Sequence, residues 1–467
     1  FLPRRGWGIT RQVQTLHRER VGRPEEGADV VQRADIVGDE SHMKFGTIIS
    51  GVISRFAKDG SGVIERAEGN AFHVYNTIPG ESVTARFKKR SKDGPKAELV
   101  SIDAPSPARV TPRCPYAGSC GGCKWQHVDY PAQLRGKADT FLRTAQEKEM
   151  PVALSAVQPA PELFYYRNRM DFTFGRNGEL GLKAPDRWWD ALDLNVCHLL
   201  SPASVEIMSR VRAWAKASGL PFWNGDTYEG FFRYLVIREG KRTGERMVML
   251  LTATPKGEEK KKVEELPALL GDLATCVVWG VNPLITDLSV AETVTPLKGD
   301  PWIFEEVNGV RYKITPNAFF QTNTVMAEQL QNKVKEFCGD LSGKTLLDLF
   351  CGSGFFSLAF AKEAKRTVGI ELSAEAIACA KENAAANGVT AEYFVSKAEA
   401  FDWKGYAPDV VILDPPRAGL HPKVIETLLE AKPPRVVYVS CSYPRFLDEM
   451  KKLGGASGEL WRTGRIV

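Results

Sequence analysis

Asp348, Glu371, Asp414 and Cys441 each fall where an apolar run stops, and that spacing invites chemistry. Thr345-Leu-Leu-Asp-Leu runs into Phe350-Cys-Gly-Ser-Gly354, and a second run, Thr367 to Ile370, closes on Glu371. The residues predict strand, glycine turn, helix over 355–364, strand, acid. Glycines let a backbone approach a ligand closely and accept positive φ. An acid that closes the next strand can hold the two hydroxyls of a ribose. Ser357 stands where a dinucleotide fingerprint would place its third glycine, and no Gly-Lys-Ser/Thr follows, so neither a dinucleotide turn nor a phosphate-binding loop is matched. The spacing suits a nucleoside cofactor of the S-adenosylmethionine type; the plainer reading is an ordinary β-α-β turn.

A second constellation lies far upstream. Cys114-Pro-Tyr-Ala-Gly-Ser-Cys120-Gly-Gly-Cys123 places three thiols around a glycine pair that permits a tight path, and Cys197 supplies a fourth. Four cysteine ligands bind zinc or an iron–sulfur cluster, and spacing alone does not choose between them. A reduced thiol cluster without metal is the simpler alternative. Nine cysteines in 467 residues do not make a disulfide framework, and a reducing, cytoplasmic setting fits them.

These groups need elements to position them. The chain length suggests several domains, and the net charge of +5 permits a nucleic-acid partner without requiring one. No apolar run is long enough to cross a bilayer. Residues 1–42 begin with Phe and hold no apolar periodicity, so they are expected to be a disordered or non-native extension ahead of Met43. Residues 44–103 carry short β-rich runs between turn signals, as in a small oligonucleotide-binding barrel, with Lys88, Lys89, Arg90, Lys92 and Lys96 on one hairpin. That hairpin either tracks phosphates or is simply solvated. A proline-rich linker, residues 104–113, opens a mixed α/β middle domain extending to 308, with a charged helix over 257–270. The last domain, 309–467, reads as doubly wound α/β, and its ligand would collect at the carboxyl ends of its strands. There Asp348, Glu371, Asp414 and Cys441 would meet. Cys276, Cys338 and Cys379 read as packing residues.

From Lys44 onward the chain resembles the RNA uracil-5-methyltransferases, which make 5-methyluridine in ribosomal and transfer RNA. The resemblance rests on a barrel like the TRAM domain, on the three-cysteine set with Trp125-Gln126-His127, and on Tyr166-Arg167-Asn168. It continues through Phe319-Phe320-Gln321, Asp348 to Gly354, Asp414-Pro-Pro-Arg417 and Ser440-Cys441. It implies a four-iron four-sulfur cluster on Cys114, Cys120, Cys123 and Cys197. It implies S-adenosylmethionine held by Gln321, Phe350, Gly352, Gly354, Glu371 and Asp414. Cys441 becomes the nucleophile that adds to C6 of uracil so that C5 can attack a methyl group, a cycle that suits a thiol because it both attacks and leaves well. The resemblance further implies an RNA partner, ribosomal more than transfer RNA, no membrane, and action as a monomer.

Departures from the family pattern bear on this. Phe355 is bulky where a small or polar residue is usual, and Lys397 stands where an acid or amide often meets adenine. The family carries its proton-abstracting glutamate in a Phe-Pro-x-Thr-x-His-x-Glu segment. This sequence runs to Val467 without one, and nothing around Glu459 matches. The expectation is a base lying beyond Val467. Rival readings are a cytosine-5 methyltransferase, which lacks its usual Pro-Cys here, an exocyclic-amine methyltransferase, which would leave Cys441 without a role, and a non-catalytic RNA-binding fragment.

Overall fold

The computed structural model describes residues 43–454 apart from 67–68, 92–93, 151 and 186, together with the backbone of a short strand, β1 (Gln12–Gln14). The chain divides into two compact units, Glu19–Glu149 and Phe1–Arg18 with Met150–Val467. No described helix is long and apolar enough to cross a membrane.

The smaller unit contains β2 (Ile48–Val52), β3 (Arg55–Phe56), β4 (Gly62–Ile64), β5 (Phe72–Val74), β6 (Ser82–Lys89) and β7 (Lys96–Ala104). They form one sheet in the order β2-β6-β7-β5-β4-β3, antiparallel except for β5 with β7. Alternation buries one face, where Ile49, Ile64, Phe72, Val83 and Phe87 form a separate core. Residues 104–149 belong with this sheet rather than with the middle domain expected from the sequence. The reason is contact: Phe56, Ile78, Val128 and Ala132 of helix α1 (Tyr130–Glu147) make a second small core, and Trp125 Nε1 donates to Gly60 O at 2.7 Å.

The larger unit continues with β8 (Arg169–Phe174), β9 (Leu180–Gly181), the pair β10 (Lys183–Ala184) and β11 (Arg187–Ala191), helix α2 (Pro202–Ala217), β12 (Phe232–Glu239) and β13 (Arg246–Thr252). The charged helix expected over 257–270 is broken into α3 (Glu259–Val263) and α4 (Leu266–Leu270). Pro267 explains the break, since it has no N–H to donate and is tolerated only in the first turn of a helix. After β14 (Cys276–Val281) and β15 (Thr293–Lys298) the middle sheet is complete, in the order β15-β14-β13-β12-β8-β9. A hairpin follows, β16 (Ile303–Val307) and β17 (Val310–Ile314), turned by Asn308 and Gly309, both at positive φ.

The third large sheet comes next. Helix α5 (Thr324–Cys338) starts at Asn323, whose side chain accepts from Met326 N. Then come β18 (Thr345–Leu349), α6 (Ser357–Phe360), β19 (Arg366–Glu371), α7 (Ala374–Ala386), β20 (Glu392–Val395), β21 (Val410–Leu413), α8 (Pro422–Ala431), β22 (Arg435–Ser440) and α9 (Tyr443–Gly454). The strand order is β1-β22-β21-β18-β19-β20, and all pairs are parallel except β1 with β22. The doubly wound α/β expectation therefore holds for this sheet. Of the 42 residues expected to lack structure, Gln12–Gln14 form a strand against the β22 edge; the others lie outside the described residues. The helix expected over 355–364 shrinks to α6, because residues 352–356 are taken up by the turn that leads into it. One apolar cluster runs from Val236, Met249 and Val278 of the middle sheet through Val307 and Ile314 to Leu346, Ile412 and Val437. The middle and last domains thus share a core.

Candidate active site

Chain order reverses between β18 and β21. From β18 the connection runs outward to β19 and β20, and the chain then returns to the opposite side for β21 and β22. A ligand crevice is expected at such a switch point, outside the strands' carboxyl ends. Register fixes which residues reach it. Leu349 pairs with Ile370 and with Leu413, so Phe350, Glu371 and Asp414 stand at one level across neighbouring strands. Leu413 pairs with Tyr438, which puts Cys441 just beyond the same edge, two strand spacings or roughly 10 Å from β18.

The turn after β18 is held by main-chain bonds. Phe350 N and Cys351 N both donate to Ile370 O, at 2.9 and 3.1 Å, and Gly354 N donates to Cys351 O at 2.9 Å. Phe350 has φ +68, a left-handed conformation that an aromatic residue seldom adopts. Gly352 and Gly354 also have positive φ, for opposite spatial reasons. A Cβ on Gly352 would meet nothing within 4 Å, which leaves room for a ligand against the backbone. A Cβ on Gly354 would lie 2.7 Å from Leu358 Cδ1, so that glycine is needed for packing against α6.

Glu371 is oriented from two sides. Gly352 N donates to its Oε2 at 3.2 Å and Ser373 N to its Oε1 at 2.9 Å. Asp348 lies behind the turn, fully buried. Its Oδ2 accepts from Ser357 N at 2.9 Å, and its Oδ1 is buried with no hydrogen-bond partner. Burial pushes its pKa up to about 7; the Ser357 hydrogen bonds pull against this, and the charges of Asp414 and Glu371 add to it. A carboxyl raised from an unfolded value of about 3.9 binds its proton more tightly in the native state. Between about pH 4 and pH 7 the folded chain keeps a proton the unfolded chain has released, so stability falls as pH rises through that window. The upper bound is roughly 4 kcal/mol, from about 1.4 kcal/mol per unit. Asp348→Asn is expected to remove this slope, so that the variant gains thermal stability relative to the parent between pH 4 and pH 7. A difference in Tm that stays flat across that range would show the group to be ionised throughout.

The thiols separate into two kinds. Burial pushes Cys276 and Cys338 up to about 12 and raises Cys379. Burial also raises Cys351 well above the usual thiol value, with Asp348 and Glu371 adding to it. A thiol must ionise to attack, so these four are poor nucleophiles. Cys441 is half-buried at the rim. Glu449 on α9 supports the loop beside it: its Oε1 accepts from Leu420 N at 2.9 Å and its Oε2 from the Tyr438 hydroxyl at 2.5 Å. No sequence signal singles out Glu449, because its partners are remote in the chain.

Phe355 turns away from the crevice. Its ring packs on Tyr312, Phe320 and Phe356, and its carbonyl accepts from Tyr312 Oη at 2.9 Å and Gln331 Nε2 at 2.7 Å. Lys397 is exposed after β20. Gln321 is half-buried in the segment before α5, with exposed Phe319 two residues earlier. Cys114, Cys120 and Cys123 are half-buried on one loop of the smaller unit, and Cys197 precedes α2 in the larger. Gly122 N donates to Cys120 Sγ at 3.3 Å. That donor chemistry suits a thiolate-ligated centre. Among the described residues, however, no group of three or more His, Cys, Asp or Glu side chains is placed to hold a metal ion.

Known proteins match this arrangement. Residues 305–457 fit the family model described as tRNA (uracil-5-)-methyltransferase. An uncharacterised RNA methyltransferase of Caldanaerobacter subterraneus subsp. tengcongensis is 32% identical, over 88% of this chain and 93% of the relative. The tRNA (uracil(54)-C(5))-methyltransferase of Pyrococcus furiosus is 35% identical, over 86% of this chain and 92% of its own. The crystal structure of the Pyrococcus abyssi tRNA (uracil-54, C5)-methyltransferase, in complex with S-adenosyl-L-homocysteine, superposes with a TM-score of 0.72 at 32% identity, covering 86% of this chain and 92% of that one.

Proposed function

The chain belongs to the tRNA (uracil-5-)-methyltransferase family and is an S-adenosylmethionine-dependent RNA uracil-C5 methyltransferase, and from that premise we propose that it methylates a uridine of transfer RNA through a covalent adduct between Cys441 and C6 of the base. The observation that carries the adduct is the position of Cys441. It stands half-buried at the carboxyl edge of the sheet, level with the cofactor-type turn, whereas the other thiols of that sheet and its helices are buried. Transfer RNA replaces the ribosomal RNA expected from the barrel and cysteine set, because relatives 35% identical over 86% of this chain are named for uracil-54 of transfer RNA. The test is to map 5-methyluridine in both RNA classes with and without the gene, and then to methylate an unmodified transcript with the purified chain. Loss confined to ribosomal RNA would overturn the substrate.

S-adenosylmethionine would lie against this turn: Gly352 offers an open backbone face and Glu371 an oriented carboxylate for the ribose, and the family resemblance adds Gln321, Phe350, Gly354 and Asp414. S-adenosylmethionine supplies a methyl carbon made electrophilic by its sulfonium. The protein's part is the addition of the Cys441 thiolate to C6, which makes C5 electron-rich enough to take the methyl group with release of the thioether, and the departure of the thiolate as a general base takes the C5 proton. A uracil within folded RNA would have to swing out of its stack to reach Cys441. The small sheet would serve as a TRAM-like RNA-binding module, with Lys88, Lys89 and Arg90 exposed along one strand end; Lys88 pairs with Glu98 at 2.7 Å and Arg90 donates to Met43 O at 3.2 Å.

A four-iron four-sulfur cluster on Cys114, Cys120, Cys123 and Cys197 rests on thiol chemistry and on the family resemblance, and no catalytic step runs through it. Anaerobically purified protein is expected to be brown, with about four iron atoms per chain, bleaching when iron is chelated. Stoichiometric zinc without iron would exclude the cluster.

A further inference from the structure

The segment that carries Gln321 is held from the middle sheet. Arg238 of β12, buried, donates through its guanidinium to Pro316 O at 3.1 Å and to Ala318 O. Asn168, immediately before β8 and 5% exposed, holds the other end. Its Nδ2 donates to Gln321 O at 2.7 Å and to Thr324 Oγ1 at 3.1 Å. Its backbone N–H donates to Thr322 O at 2.9 Å, and its own carbonyl accepts from Glu239 N at 2.8 Å. The Thr324 hydroxyl passes the relay on to Glu305 Oε2 at 2.6 Å. The Glu305 carboxylate in turn accepts from Lys241 N and Arg242 N, in the turn between β12 and β13. Thr324 and Glu305 are buried, so each group in the relay has its role fixed by its partners. The Tyr166-Arg-Asn stretch lies about 150 residues from Gln321 in sequence, yet one side-chain amide joins them.

We infer that Asn168 is a positioning residue for methyl transfer: its carboxamide fixes the Gln321 main chain and so aims the Gln321 side chain at the methionine end of the cofactor. This rests on the reading of Gln321 as a cofactor contact. Two hydrogen bonds from one buried amide hold the peptide carbonyl of Gln321 and the first residue of α5 together. Without them the Gln321 carbonyl loses its side-chain tether, while the main-chain bond from Asn168 N to Thr322 O remains, and the Gln321 side chain samples directions away from the crevice. The basic residues proposed above for RNA lie in the smaller unit and contribute no group to this relay, so the expected effect is on cofactor binding and on kcat.

The test uses the full chain and S-adenosylhomocysteine as the calorimetric probe, with KM measured separately for S-adenosylmethionine and RNA. Asn168→Ala is expected to weaken the probe about 10-fold and leave KM for RNA within twofold, on the scale of a lost buried hydrogen bond. Asn168→Ser, which keeps a small polar group too short to span both contacts, replaces it if the alanine variant does not fold. Thr324→Val removes the hydroxyl but leaves the Asn168–Gln321 bond. It is expected to lower Tm without changing probe affinity more than twofold. Equal weakening by Asn168→Ala and Thr324→Val would reduce Asn168 to a structural role and overturn the inference. Weakening by Gln321→Ala with none by Asn168→Ala would overturn it while leaving Gln321 as a contact. Full affinity in Gln321→Ala would remove the cofactor reading of Gln321 itself.

Discussion

Cys441→Ser is expected to abolish methyl transfer, by at least about 10⁴-fold in kcat, while binding of S-adenosylhomocysteine stays within a few-fold of the parent. Serine has the shape of the thiol, but its hydroxyl is neither as nucleophilic nor as good a leaving group at neutral pH. RNA with 5-fluorouridine at the target separates the chemistry from mere binding. Addition to C6 and methylation at C5 proceed, but fluorine cannot leave as a proton does, so the adduct persists. A slow-migrating protein–RNA band is expected with the parent chain, its cross-linked peptide is expected to contain Cys441, and the band is expected to vanish in the serine variant. Cys351 is the instructive control. It is nearer the cofactor turn, but burial and the adjoining carboxylates hold its thiol protonated. An adduct mapped to Cys351, or retained in Cys441→Ser, would refute the assignment.

Glu371→Ala is expected to weaken S-adenosylmethionine about 100-fold with KM for RNA little changed. A carboxylate accepting two ribose hydroxyls makes two charge-assisted hydrogen bonds, each worth roughly 1.5–3 kcal/mol, and a tenfold change in affinity is about 1.4 kcal/mol. Here the carboxylate is already aimed by Gly352 N and Ser373 N, so little ordering remains to be done when the ribose arrives. Glu371→Gln keeps one acceptor and loses the charge; about a 10-fold loss is expected. If calorimetry showed both variants binding as tightly as the parent, the ribose would lie elsewhere. A fall in Tm without a change in affinity would mean that Glu371 serves only to tie the turn to α7.

The sequence was informative where chemistry and local structure coincide. The run from Thr345 to Glu371 could be read because its strand, turn and strand are consecutive, and each boundary carries its own residue signal. The same holds for the strands that end at Asp414 and Cys441. Legibility failed where distant segments decide. The amide of Asn168, the carboxylate of Glu449 and the guanidinium of Arg238 each act on backbone remote in sequence, and no periodicity announces that. Residues 104–149 were assigned to the middle domain because prolines resemble a linker, but packing on Phe56 places them with the small sheet. The helix over 257–270 failed for a local reason, since Pro267 outweighs the charge pattern. The leaning to ribosomal RNA rests on family analogy for the barrel and the cysteine set, and the proposal of transfer RNA rests on the names of relatives.

The apolar cluster that passes from Met249 through Val307 and Ile314 to Leu346 bears on how such a chain can be inherited. A recombination point near 308, where the sequence suggests a seam, would cut between residues of one core and leave both halves with bare apolar faces. A point near 149 would spare that core and the separate one of the small sheet. The middle sheet and the methyl-transfer sheet are therefore expected to be inherited as one module, whereas a break near 149 leaves each core whole.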